Sequence, residues 1–349
     1  MDHKPATIKE IADRLRVSVS TVSRALHDHP SIGSHTKMQV RKLAEELNYE
    51  PNRAAISFKQ GKSFTIGVIL PNLGEEFFSI AINGIENVAT ANNYTVLIGQ
   101  SRDDVERERK IADTMRRHRV DGLIVSLAKT TRDLDHFEQL KQSRIPVVFF
   151  DRVPEDESAY SVSCNLENSS VELVDWLVKN GHSRIGFIMG PGALVHATQR
   201  LEGYYEGLRK NGIAQDPSIV VSTDLSREGN YAAMESLLRA EPRPTAVIAF
   251  NDYVALDATK YSRNQGLKVN HDISFVSYAN LPVTSYLDDP PIASVEQFPF
   301  EQAEQATSML LQLIGKNEVK RKVILEGRVV TSNSKYQIPN SSGVPQIPK

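Results

Sequence analysis

From residue 64 onward, short apolar runs alternate with amphipathic segments, mostly about 12–17 residues long, and that alternation leaves few architectures open. Runs over 64–70, 94–99, 122–127 and 146–151 read as strands, and the pattern restarts with 160–164, 184–189, 219–222, 245–250 and 273–278. Between them, 78–91, 105–118, 165–180, 200–211 and 253–265 carry apolar residues at helical spacing. Strands that are apolar throughout are buried on both faces, and intervening helices supply the cover, so the sheets are parallel. Two further strand-like runs, 292–297 and 322–326, flank a helix at 299–314. The strands are too many for one compact sheet, and the restart near residue 160 predicts two similar α/β lobes, each a parallel doubly wound sheet.

Such sheets bind ligands beyond the carboxyl ends of their strands, and two facing lobes place those ends across a cleft that closes by a hinge. Polar residues gather there: Asn72 after the first strand, Ser126 after the third, Asp151-Arg152 after the fourth, and Asn251-Asp252 in the second lobe. Asp252 suits a helix cap as well as a ligand contact.

Ahead of the lobes, Ile8, Ile11, Ala12 and Leu15 form one helical face, and Val22, Ala25 and Leu26 form a second a few residues later. Two short amphipathic helices with a tight connection make a helix-turn-helix, whose second helix lies in the DNA major groove. Ser18, Thr21 and Ser23 are small donors suited to phosphate oxygens, and Ser18 also suits the N-cap of the second helix. Arg24 can reach a phosphate or pair with guanine O6 and N7. Residues 1–62 hold eleven basic and seven acidic side chains, +4, while the remainder carries −6. That asymmetry fits a DNA-binding headpiece on a neutral body, against the alternative of a plain polar three-helix bundle. A third helix is expected over 36–47, ended by Pro51. Asn52 and Gly61 then bracket one or two helical turns, too short to be stable alone. Phe58 within them suits a wedge between minor-groove base steps, or packing of a linker onto the next domain.

No apolar run is long enough to cross a bilayer, the start of the chain is polar and basic, and Cys164 is the single cysteine, so the expected compartment is the cytoplasm. No Gly-x-Gly-x-x-Gly, Gly-x-x-x-x-Gly-Lys, Gly-x-Ser-x-Gly or His-Glu-x-x-His occurs, so no enzyme, cofactor or metal is expected. His27, His29 and His35 fall in the loop after the recognition helix, where phosphate or solvent contact is the simpler reading.

The ordered stretches Thr7-Ile8-Lys9-Glu10-Ile11-Ala12, Val17-Ser18-Val19-Ser20-Thr21-Val22-Ser23-Arg24 and Leu47-Asn48-Tyr49-Glu50-Pro51-Asn52-Arg53-Ala54 carry a specific resemblance. Phe64-Thr65-Ile66-Gly67-Val68-Ile69-Leu70-Pro71, Asp121-Gly122-Leu123-Ile124 and Phe250-Asn251-Asp252 extend it over about residues 6–335. The chain resembles the lactose-repressor (LacI) family of bacterial transcription regulators. The resemblance implies an all-α headpiece on a two-lobed periplasmic-binding-protein-like core. It further implies a homodimer on a pseudo-palindromic operator in double-stranded DNA, with paired hinge helices in the central minor groove and no membrane. Val19 and Ser20 take the base-reading positions, Arg24 follows, and Asn52 and Arg53 introduce the hinge; Thr7, Ala55 and Lys59 complete the candidate DNA contacts with Ser18, Thr21, Ser23 and Phe58. Phe58 stands where the family usually has leucine.

For the cleft, the resemblance implies Phe77 and Phe78 as stacking walls, Arg200 and Asn251 as hydrogen-bond donors, and Asp151, Arg152, Leu225 and Gln297 as further pocket positions. His196, Asn280, Asn72 and Ser126 complete the candidate set. Many sugar-responsive members carry an aspartate after the strand that here ends Val276-Ser277-Tyr278, where this chain has Ala279-Asn280. Either Asn280 compensates or the effector is other than a simple neutral sugar, and Arg152 with Arg200 would suit an acidic or phosphorylated one. The expected function is a sequence-specific DNA-binding transcriptional regulator, a repressor by this reading, with operator affinity set by a small carbohydrate-like effector. Control by a protein co-regulator on the first lobe, and a solute-binding protein without DNA function, are the alternatives. The expected boundaries are 1–50 for the headpiece, 51–62 for the hinge, 63–163 with 293–321 for the first lobe, and 164–292 with 322–337 for the second. A disordered tail is expected over 338–349.

Overall fold

The computed structural model describes residues 6–49, 61–192 and 194–332. The chain divides into two compact units, Met1–Ser63 and Phe64–Lys349. The expected hinge positions 51–60, with Asn52, Arg53, Ala55, Phe58 and Lys59, and the tail at 338–349 lie outside the described residues.

In the first unit, helix α1 (Ile8–Leu15) opens where the Thr7 hydroxyl accepts the Glu10 amide at 3.2 Å. It closes at Arg16, whose left-handed φ of 54° turns the chain toward α2 (Val19–Leu26). Ser18 caps α2 by accepting the Thr21 amide at 3.1 Å, satisfying one of the orphan donors of the first turn. Helix α3 (Ser34–Glu46) begins two residues before the expected start. Ile11, Ala12, Val22, Ala25, Val40 and Ala44 form the buried centre, ringed by Ile8, Leu15, Val17, Leu26, Leu43 and Leu47.

Among the described residues, the second unit holds two six-stranded sheets. The first contains β1 (Thr65–Leu70), β2 (Thr95–Gln100), β3 (Gly122–Val125), β4 (Val147–Phe150), β5 (Tyr160–Asn165) and β11 (Lys322–Glu326), ordered β11-β5-β4-β3-β1-β2 and parallel throughout. Helices α4 (Glu76–Ala91) and α11 (Pro299–Ile314) cover one face around Ile66, Val68, Phe78, Ile85 and Leu310. Helices α5 (Val105–Arg117) and α6 (Asp135–Gln142) cover the other around Ile69, Leu123, Phe137 and Phe149.

The second sheet contains β6 (Ile185–Met189), β7 (Val220–Ser222), β8 (Ala246–Ala249), β9 (Ser274–Tyr278), β10 (Ala293–Glu296) and β12 (Arg328–Thr331), ordered β12-β10-β9-β8-β6-β7. Only β12 is antiparallel, against β10. Helices α7 (Leu166–Lys179) and α8 (Val195–Lys210) pack on one face over Phe187 and Tyr204. On the other face α9 (Arg227–Arg239) and α10 (Asp252–Asn264) pack over Met234, Val247 and Phe275.

Two strands sit in the opposite sheet from the expected boundaries. Residues 293–296 pair with β9 in the second sheet, while 322–326 extend the edge of the first along β5. The chain therefore crosses between lobes after β5, after β10 and at Gly327. Each late strand joins the free sheet edge that its register reaches, which its own apolar pattern does not encode. A Cβ at Gly327 would lie 2.3 Å from Ser169 Oγ, so a side chain at the last crossing would force Ser169 to move. Helix α9 adds one more helix of the expected length between expected strands, while helix α6 and strand β12 were not expected: α6 is only eight residues long, and β12 is a four-residue edge strand.

Candidate functional site

On the headpiece, Ser18, Val19, Ser20 and Arg24 are exposed at and beyond the start of α2, with Thr21 and Ser23 half-buried behind them. The Ser18 hydroxyl lies 2.7 Å from that of Ser20 and 2.9 Å from that of Thr21, so the cap holds the first turn and its hydroxyls as one cluster. Val19 is 43% exposed, an apolar group of the kind that contacts a thymine methyl. Several nearby cations are already engaged: Arg14 pairs with Glu10, and Lys37 and Arg41 with Asp28. Arg24 makes no ion pair among the described residues and projects freely. His27 donates from Nδ1 to the Ser23 carbonyl oxygen at 2.8 Å, and His29 contacts the Ser31 hydroxyl at 2.8 Å.

In the second unit, the carboxyl ends of the strands meet around a cavity of about 40 Å³. From the first lobe, α4 contributes Phe77 and Phe78 with Glu75 at its cap, and the end of β4 contributes Asp151 and Arg152. From the second lobe, α8 contributes His196 and Arg200, the end of β8 Phe250 and Asn251, and α10 Tyr253. Ala279, Leu281 and Gln297 complete the wall.

The structure thus brings together Phe77, Phe78, Asp151, Arg152, His196, Arg200, Asn251 and Gln297. It places four expected residues elsewhere. Asn72 accepts the Gly74 amide at 2.9 Å and shapes the turn after β1. Ser126 lies beneath the wall and donates to Asp151 Oδ2 at 3.2 Å. Leu225, at a left-handed φ of 71°, packs against the second-lobe core. Asn280 donates to Glu296 Oε2 at 2.8 Å, because successive positive φ values at Ala279 and Asn280 turn its side chain away. It therefore gives no carboxylate substitute in the wall. Glu75, Phe250, Tyr253 and Leu281 are wall residues that strand-end reasoning missed. Phe250 ends an apolar strand and Glu75 is a carboxylate at a helix start, so neither stands out locally.

Arg200 is the most constrained wall residue. It is 4% exposed, with its guanidinium carbon 4.3 Å from the Phe250 ring centre and 4.4 Å from that of Tyr278. Nη1 donates to the Phe250 carbonyl oxygen at 2.8 Å and Nη2 to Gln297 Oε1 at 3.4 Å, while Nε has no partner among the described residues. Burial pulls this guanidinium down to about 10. Burial pushes the Asp151 carboxyl up to about 6 against the pull of Arg152 and Arg200. Burial, with help from Arg200, pulls His196 down to about 3, so it is neutral and donates from Nε2 to the Asp151 carbonyl oxygen. Arg152 makes a direct ion pair with Asp103. Asn251 caps α10, accepting the Val254 amide at 2.9 Å, so Asp252 is freed from that role. Asp252 is fully buried and holds the second-lobe strand ends instead, through Ser277, Ser294 Oγ at 3.0 Å and the Leu281 amide at 2.6 Å.

The lobes are joined across this cavity. Glu76 Oε2 accepts the Val283 amide at 3.1 Å, the Glu76 amide donates to Tyr253 Oη at 3.3 Å, and Lys129 Nζ donates to the Asp224 carbonyl oxygen at 3.0 Å. Ala279 and Leu281 pack into the same apolar cluster as Phe77 and Phe78.

A helix-turn-helix unit together with a hinged two-lobed core around a polar cavity defines a DNA-binding regulator. Residues 7–52 match the description "Bacterial regulatory proteins, lacI family", and residues 66–318 match "Periplasmic binding protein domain". The chain belongs to the LacI family of bacterial regulatory proteins. It is 31% identical over 335 residues to the HTH-type transcriptional repressor CytR of Escherichia coli (strain K12), covering 96% of this chain and 97% of that protein. It is 28% identical over 335 residues to the repressor PurR of Aliivibrio salmonicida (strain LFI1238), covering 95% of this chain and all of that one. Among solved structures, the Lac repressor dimer bound to operator and the anti-inducer ONPF superposes with a TM-score of 0.82 at 27% identity, covering 94% of this chain and 98% of that one. These relatives are transcription regulators. No helix among the described residues is long and apolar enough to cross a membrane.

Proposed function

We propose that the protein acts as a homodimeric repressor on a pseudo-palindromic DNA site, and that a small hydroxylated molecule, a sugar or sugar derivative, sets its DNA affinity from the interlobe cavity. The observation that carries this reading is the wall itself, where the buried and rigidly held guanidinium of Arg200 stands with Phe77, Phe78, Asn251 and Gln297 around one cavity. Aromatic walls beside fixed polar groups suit a ring with an apolar face and hydroxyl edges. Arg152 is neutralised by Asp103, and Glu75 and Asp151 stand close by, which argues against a strongly acidic or phosphorylated ligand. A cavity of about 40 Å³ admits only a few waters, so the lobes part to admit a sugar and close again around it. That motion, transmitted to the DNA-binding helices of a dimer, couples the two sites reciprocally.

The test is to select DNA sites from a random pool with the full-length protein, then titrate the selected duplex while screening sugars for a change in affinity. A preferred palindromic site whose affinity moves with one sugar class is the expected result. Selection of no sequence, or an affinity indifferent to every ligand that stabilises the protein, would reject it.

A further inference from the structure

The interlobe cavity is lopsided in charge. On its first-lobe side stand the carboxylates of Glu75 and Asp151 with Asp103 just behind, against one guanidinium, Arg152, whose charge Asp103 takes in a direct ion pair. On its second-lobe side stand Arg200 and the amides of Asn251 and Gln297, and where the chain leaves β9 the wall offers only the methyl of Ala279. Glu75 is the least supported of these groups. Its one side-chain hydrogen bond among the described residues comes from Asn72 Nδ2 at 3.5 Å, at the limit of such a contact. Burial raises its carboxyl above the ordinary value; Arg152 opposes that, and Asp103 and Asp151 add to it. Across the cavity stands the guanidinium of Arg200. A carboxylate short of donors lines one side of the cavity, and a guanidinium held by the Phe250 carbonyl and Gln297 lines the other.

Building on the assignment of this cavity as the effector site, we propose that the effector is a hydroxylated small molecule carrying a basic nitrogen, an amino sugar or similar amine, with the nitrogen on Glu75 and its hydroxyl oxygens toward Arg200. A protonated amine gives Glu75 charge-assisted hydrogen bonds and supplies the positive charge this wall lacks. A neutral hydroxyl gives only an ordinary bond, and a carboxylate or phosphate places like charge beside Glu75. The ammonium draws Glu75 into its charged form, so affinity rises with pH through the range in which the empty site is protonated.

The experiment uses the full-length protein in calorimetric titrations with matched sugars: glucose, galactose and mannose, their 2-amino and 2-acetamido forms, their uronic acids and their 6-phosphates. The expected result is that the tightest binder is a 2-amino sugar, that its acetamido form binds about tenfold more weakly, and that Glu75→Gln loses a similar factor for the amine only. Tightest binding by a neutral, acidic or phosphorylated sugar overturns the proposal, as does an acetamido form that matches its amine. The acetamido comparison needs no variant, so it stands even if Glu75→Gln folds poorly. Binding by no sugar of any series removes the effector-site assignment itself, a result distinct from binding by the wrong series.

Discussion

Arg200 donates from Nη1 to the carbonyl oxygen of Phe250 at 2.8 Å while its guanidinium lies 4.3 Å from the centre of the same residue's ring. One residue thus fixes both the position and the plane of the group that faces the cavity. Planarity is what lysine lacks. Arg200→Lys is expected to leave ligand-free DNA binding within about twofold and to weaken the ligand response tenfold or more, from losing a charge-assisted bond of about 1.5–3 kcal/mol. Anisotropy titrations of the DNA complex with and without ligand measure both quantities. An unaltered ligand response would move the effector away from this wall.

Glu76 is the latch of the closed cleft. Its carboxylate and amide reach Val283 and Tyr253 of the other lobe, yet it does not line the cavity. Glu76→Ala removes the carboxylate contact, which stabilises the closed form by about 0.5–1.5 kcal/mol. Ligand association is expected to quicken, because more molecules are open at any instant, and dissociation to quicken by a similar factor of about two to ten. Net affinity therefore changes little, the contact being present in the closed form with and without ligand. Stopped-flow measurements separate the two rates. Equal rates in variant and parent would show that the contact does not hold the lobes together.

The two-lobed plan was legible because strands apolar throughout and helices of regular period are local signals. The lobe to which residues 293–296 and 322–326 belong was not, since an apolar run fits either sheet and only the neighbouring edge decides. The same distinction runs through the cavity. Asp151, Arg152 and Asn251 follow strand ends directly and were legible there, and Phe77, Phe78, Arg200 and Gln297 through family resemblance. Asn280 was misplaced because its orientation depends on two consecutive left-handed residues, at φ 100° for Ala279 and 49° for Asn280. Glu75 was overlooked because a carboxylate at a helix start has an ordinary explanation, and only the closed arrangement of both lobes reveals how little else it has to bind.

His182 predicts acid sensitivity in the second lobe. It is 2% exposed, its Nδ1 lies 3.0 Å from Thr245 Oγ1, and burial pulls it down to about 4. The folded form favours neutral imidazole, so the contribution is fully present above the unfolded value of about 6.5 and is lost as pH falls from there toward 4. The size is on the order of 3 kcal/mol. Asp151 and Asp252, both pushed up to about 6, run the opposite way: their folded forms hold protons that the unfolded chain has released, so their contribution shrinks as pH rises from about 4 to 6. His196 adds to the histidine effect but faces Asp151 and Arg200, which entangles its titration. The difference between parent and His182→Gln isolates one group. The variant's disadvantage at neutral pH is expected to shrink by on the order of 3 kcal/mol at about pH 4.5. Parallel pH profiles would mean that His182 does not titrate on unfolding.

Ser18 and Arg24 separate folding of the headpiece from recognition of DNA. Ser18 holds the Thr21 amide and two hydroxyls in the first turn of α2, over a core of six buried apolar side chains. So small a core has little stability to spare, so loss of a cap matters. Ser18→Ala is expected to lower headpiece stability by about 0.5–2 kcal/mol and to weaken binding to specific and unrelated DNA alike. Arg24 is exposed, without an ion pair among the described residues, so Arg24→Ala is expected to leave headpiece unfolding unchanged. Its cost falls on DNA. If the guanidinium reads a guanine, specific affinity drops by about 1–3 kcal/mol and discrimination at one base pair relaxes. If it meets a phosphate, affinity falls evenly across sequences and the salt dependence loses about one unit of slope. Hydrogen exchange of the headpiece amides, alongside DNA titrations at several salt concentrations, reads all of these. Arg24→Ala binding as tightly as the parent to every duplex would remove α2 as the reading helix.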